Sequence, residues 1–137
     1  MSDIDDIASD FELLEDWEQR YQYLTELGEA LEPMPASEKT DGNRVKPCMS
    51  QVWVKALPDP DHPGNVLFHG DCDTAIIKGV VALLVNLFSG KSIQDIVEMD
   101  VDALFDRIQL AENLSPTRHV GVYAIVEQMK EQAARLA

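Results

Sequence analysis

Cysteine is scarce here: 137 residues hold two, Cys48 and Cys72. So few thiols exclude a disulfide framework, and the pair lacks the CxxC spacing of a strong zinc signature. Histidine is scarce as well. His62, His69 and His119 stand in no recognisable hydrolase motif, although a cysteine hydrolase needs a histidine base and an orienting group. Glycines are scattered singly, which excludes a Gly-rich phosphate loop.

Basic residues are also in short supply. Eleven Lys and Arg face 25 Asp and Glu, giving a formal charge of −14 and a pI near 4.3. Such a field repels polyanions, so neither nucleic acid nor an anionic membrane surface is an expected partner. The longest apolar stretch, Val80 to Val85, falls far short of the roughly 20 residues a spanning helix requires. The opening Met1-Ser2-Asp3-Ile4-Asp5-Asp6 has neither the positive segment nor the apolar core of a secretory signal. The expected compartment is the cytoplasm, where a cysteine stays a thiol.

What is present reads as one α+β domain over residues 1–137. Phe11, Leu14, Trp17, Tyr21, Leu24, Leu27 and Leu31 recur at helical steps and predict one amphipathic helix of about five turns, stopped by Pro33 and Pro35. Its aromatic stripe reads as core. Eight acids between Asp3 and Glu18, with no base among them, read as a solvated helix face. A docking surface for a basic partner is the alternative. A long polar connection, 36–48, leads to a strand at 51–57. The turn-rich segment 58–64 and a strand at 65–69 complete a hairpin, and Arg44-Val45 is a candidate third strand. The sheet is therefore small and antiparallel, of about three strands.

Asp73 is the expected N-cap of an apolar, central helix from Thr74 to Phe88, closed by Ser89-Gly90. Ser92 with Asp95, and then Asp100, open two short helices carrying Ile93, Ile96, Val97, Leu104 and Phe105. Ser115 and Pro116 start the last helix, whose expected buried stripe is Val122, Ile125, Val126, Met129, Ala133 and Leu136.

Chemistry gathers around Cys48, which ends the polar connection. Between Lys39 and Lys55 four bases (Lys39, Arg44, Lys46, Lys55) face one acid, Asp41. Cations near a thiol favour the nucleophilic thiolate, whereas a buried lone cysteine is simply a small apolar residue. The segment His69-Gly70-Asp71-Cys72-Asp73 offers metal-ligand types that Cys48 could join, for zinc or an iron–sulfur cluster. The plainer account makes Asp71 and Asp73 turn and cap residues, and Cys72 a packed side chain. Arg118, in the first turn of the last helix, opposes the helix dipole and so answers a specific partner or is simply solvated.

Four blocks are recognisable together: Asp16-Trp17-Glu18-Gln19-Arg20-Tyr21 with Leu27-Gly28; Thr40 to Val45 with Cys48-Met49-Ser50-Gln51-Val52-Trp53; Gly70 to Gly79; and Leu114 to Arg118. In this order they resemble the SufE family of cysteine-desulfurase sulfur acceptors. The resemblance implies a fold related to the IscU/NifU-type scaffolds. It implies that Cys48 accepts sulfane sulfur, as a persulfide, from a pyridoxal-phosphate cysteine desulfurase of the SufS or CsdA type. The protein would stimulate that enzyme without being one itself, and deliver the sulfur to an iron–sulfur assembly scaffold of the SufB type or another recipient. No cofactor is expected, since the pyridoxal phosphate belongs to the partner. Within this frame Arg44 and Lys46 would favour the Cys48 thiolate, while Asn43, Gln51, Asp73 and Arg118 would organise its loop. The alternative function is a metal or cluster scaffold using Cys48, Cys72, His69 and Asp71 or Asp73. Two departures stand out: Pro47 replaces the family's usual glycine, and Cys72 a common serine.

Overall fold

The structure, a computed structural model, describes residues 4–46, 51–114 and 116–136. Its helices are α1 (Ile4–Glu12), α2 (Trp17–Ala30), α3 (Ala75–Phe88), α4 (Ile93–Glu98), α5 (Val101–Arg107) and α6 (Pro116–Arg135). The strands β1 (Val52–Pro58), β2 (Asn65–Cys72) and β3 (Lys91–Ser92) form one antiparallel sheet in the order β1-β2-β3. Among the described residues no helix is long and apolar enough to cross a membrane.

The first helix of the sequence reading is two helices. Its apolar spacing runs on through Leu14 and Trp17, but the Asp16 carboxylate accepts the Gln19 amide at 2.9 Å and caps a new helix there. The Gln19 side chain in turn accepts the Glu15 amide at 3.0 Å. The two bonds fix the chain at the start of α2, and a D-x-x-Q signal outweighs periodicity because orphan amides at a helix start need acceptors. Several of the N-terminal acids have structural tasks. Asp5 and Glu12 pair with Arg107 of α5, Asp10 accepts the Tyr23 hydroxyl at 3.3 Å, and Asp16 is the cap.

Apolar on nearly every side, α3 is buried from Ile77 to Phe88 except at Lys78 and Asn86. It lies under the sheet, and α2 crosses it where Gly28 meets Gly79. A Cβ on Gly79 would stand 2.1 Å from the Leu24 carbonyl oxygen, so only glycine allows this approach. Strand β2 alternates strictly: Val66, Phe68, Gly70 and Cys72 face the core, while Leu67, His69 and Asp71 face outward. Phe68 packs on Phe88 of α3, with ring centroids 5.9 Å apart.

Three local expectations need correction. Asp73 does not cap α3; Thr74 holds that position without a side-chain capping bond, and the Asp73 carboxylate instead accepts from the Gln51 amide and the Thr74 hydroxyl. The third strand is β3, on the far side of β2, while Arg44 contributes an isolated bridge to Trp53. Leu136, expected in the buried stripe of the last helix, is exposed, because α6 is ending there. Ser92 and Asp100 cap α4 and α5 as expected. Ser115 lies outside the described residues.

Candidate functional site

The connection between α2 and β1 wraps the outer face of the hairpin. Two 3-10 turns, Ala36–Glu38 and Asp41–Asn43, carry it, and the Val45 amide then donates to the Val52 carbonyl at 2.8 Å. That bond brings the chain on either side of residues 46–51 together. On the β1 side a second clamp follows: the Gln51 amide donates to Asp73 Oδ1 at 3.0 Å, and the Asp73 amide donates back to the Gln51 carbonyl at 3.2 Å. Cys48 and Pro47 lie between these anchors and outside the described residues. Gln51 and Asp73, both expected to organise the Cys48 loop, are therefore joined at its edge.

Asn43 is a junction. Its amide donates to the Glu38 carbonyl at 2.8 Å, and its own carbonyl accepts from Gln128 of α6 at 3.1 Å. One turn further along α6, Gln132 donates to the Val54 carbonyl at 2.8 Å and accepts from the Ala56 amide at 2.9 Å. A side-chain amide thus satisfies two backbone groups on the outer edge of β1, as a neighbouring strand would. Arg118 occupies the first turn of α6, but its side chain lies outside the described ones.

The positive window of the sequence is largely neutralised by the fold. Lys39 pairs with Asp71 at 2.7 Å and lies 5.4 Å from the Trp53 ring centre. Lys55 reaches Glu38 at 3.8 Å, and Lys46 pairs with Asp41. Asp71 also meets Lys78 of α3 at 3.5 Å. Burial pushes the Asp71 carboxyl up, but its bonds from Lys39 and the Cys72 amide, with the two lysine charges, outweigh that and hold it below the usual range. At Asp41 the hydrogen bond and charge of Lys46 do the lowering, against burial, and Arg44 adds to it. Counting charges along the sequence missed Glu38 and Asp71 because one lies just outside the window and the other arrives from β2. Arg44 sits half-buried at the bridge to Trp53, beside this cluster.

The ligand set of the metal reading is divided by strand geometry. Cys72 is 6% exposed and faces the core, where its sulfur accepts the Thr74 amide at 3.4 Å. His69 and Asp71 face the other way and are engaged by Glu38 and by the two lysines. Among the described residues no three His, Cys, Asp or Glu groups converge on a point that could hold an ion. Glu38, Gln128 and Gln132 were not singled out by sequence. The two glutamines are four residues apart beside the buried stripe of α6, and nothing in that spacing names the strand they serve.

The family model described as "SufE: Fe-S metabolism associated domain" matches residues 5–133. An uncharacterised SufE-like protein of Rhizobium etli is 39% identical over 135 residues, spanning 97% of this chain and 90% of that protein. Another, from Rhizobium meliloti, is 38% identical over 135 residues, spanning 97% and 96%. The solution structure of a hypothetical protein from Thermus thermophilus superposes with a TM-score of 0.79 at 22% identity, covering 96% of this chain and 93% of that one. The likeness in structure bears out the α+β fold, and the match along nearly the whole sequence bears out the resemblance of the four blocks: the chain belongs to the SufE family, whose domain is associated with iron–sulfur metabolism.

Proposed function

We propose that this protein is a persulfide carrier for iron–sulfur cluster assembly, with Cys48 as its sulfur acceptor. The observation that carries the reading is membership of the SufE family over residues 5–133, in a chain with a cysteine between the anchored ends of a connection. The donor is a pyridoxal-phosphate cysteine desulfurase, which the carrier stimulates. The recipient is an assembly scaffold or another sulfur-using protein, and the site of action is the cytoplasm.

The chemistry needs little from the carrier. The Cys48 thiolate attacks the outer sulfur of the donor persulfide, the donor's S–S bond breaks, and the donor cysteine leaves as thiolate. The proton lost by Cys48 is matched by one the donor thiolate gains, so no oxidant or reductant is consumed. No resident cofactor and no general base are required. Arg44 and Lys46 are assigned the role of favouring the thiolate, with Lys46 shared with Asp41. Asn43, Gln51 and Asp73 hold the chain on either side, and Arg118 is assigned the same supporting role.

The test is intact-mass spectrometry after brief incubation with a desulfurase and cysteine, without reductant. A reducible gain of about 32 Da mapped to Cys48 is expected. Cys48→Ser should abolish it and Cys72→Ser should retain most of it. Sulfur acceptance by the Cys48→Ser protein would refute the assignment.

A further inference from the structure

Glu38 has no place in the chemistry above, yet it is the most heavily tied residue of the connection that precedes Cys48. Its side chain is 13% exposed, and its carboxylate meets a cross-strand pair, Lys55 of β1 and His69 of β2, which stand directly opposite in the register. Oε1 is 2.7 Å from His69 Nδ1, and Oε2 is 3.8 Å from Lys55 Nζ. An ionised carboxylate only accepts, so His69 donates from Nδ1. Glu38 thus gives both side chains of this cross-strand pair a common acceptor.

The next residue repeats the pattern one step along. Lys39 meets the neighbouring outward pair, Trp53 and Asp71, touching the ring of one and the carboxylate of the other. Two consecutive residues of the connection thus read two consecutive cross-strand pairs. Glu38 also fixes Asn43 through its carbonyl, and Asn43 stands two residues before the Val45–Val52 bond.

We propose that Glu38 is a positioning residue for sulfur transfer: by bridging Lys55 and His69 it sets where segment 38–45 sits on the hairpin, and so where the chain enters the acceptor connection. The inference rests on the carrier reading above. Glu38 touches no reacting atom, and its effect should appear in how well the donor engages rather than in stability.

Glu38→Ala, Glu38→Gln and His69→Ala would be compared with the wild type by single-turnover transfer at varied desulfurase concentration, melting temperature and amide exchange. Glu38→Ala should lower the second-order transfer rate by about fivefold or more, chiefly through half-saturation, and loosen the Val45 amide. Its melting temperature should stay near that of the wild type. Glu38→Gln keeps an acceptor for Nδ1–H and should restore most of the rate. His69→Ala combined with Glu38→Ala should be no worse than the poorer single variant, as expected of one coupled unit. Transfer by Glu38→Ala at the wild-type rate and half-saturation would overturn the inference and leave the carrier reading standing. A wild type that takes no sulfur from active desulfurases would overturn both.

Discussion

The β1–β2 hairpin is held on its two faces by different forces. Inward, Val52, Val54, Val66, Phe68 and Cys72 are buried against α3 and its neighbours, with Gly70 admitting Val81: a Cβ on Gly70 would stand 2.6 Å from that methyl group. Outward, Trp53, Lys55, His69 and Asp71 are engaged by a strap of polar and charged residues from the α2–β1 connection. Burial is non-directional and scales with area, so the inner face supplies stability. Partly exposed ion pairs contribute little net energy but are specific in geometry, so the outer face supplies position. The acceptor connection is attached at the junction of the two.

The largest expected effect that can break this comparison is on the inner face. Phe68→Ala removes an almost fully buried ring and should cost about 3–5 kcal/mol in urea denaturation. A cost under about 1 kcal/mol would show that the inner face is not where stability resides. At the sheet edge, Gln132→Ala leaves the Ala56 amide and Val54 carbonyl without their side-chain partner and should cost about 1–2 kcal/mol, with faster exchange of the Ala56 amide. On the outer face, Lys39→Met should cost less than about 1 kcal/mol near neutral pH. The sign of its pH dependence follows from Asp71. A carboxyl held below its ordinary value binds its proton less readily when folded, so its stabilisation is present above about pH 4 and fades as the pH falls further. The gap between wild type and Lys39→Met should therefore hold down to about pH 4 and narrow steadily as the pH falls below it, read from denaturation midpoints. A gap that widened on acidification would assign Lys39 some other role.

The inner face was legible in the sequence and the outer face was not. Apolar periodicity reports burial directly: it located the hairpin, the all-round apolar α3, and the stripe of α6 from Val122 to Ala133. It failed where a short polar signal mattered more, at Asp16 and Gln19, whose capping bonds split one expected helix into two. Cys48 was reached through its place at the end of a polar connection and through the family's motif blocks. The charge balance of the 39–55 window was misread, because the sum of charges along the chain has no knowledge of Asp71 arriving from β2 or Lys78 from α3. Glu38 and the two glutamines act across 31 to 85 positions of sequence, and such pairings become visible only when strands and helices are in place.

The two-residue alternation of β2 has a consequence for how this molecule can change over evolutionary time. Substitutions at Phe68, Gly70 or Cys72 must be answered by α3, so that side of the strand can change only in concert with the helix. Substitutions at His69 or Asp71 need only a matching exchange at Glu38 or Lys39, in a strap with few buried side chains. One strand therefore answers to two separate sets of neighbours on alternate residues. A lineage could retune the outer face to a new partner by paired surface exchanges while the scaffold beneath it stayed the same.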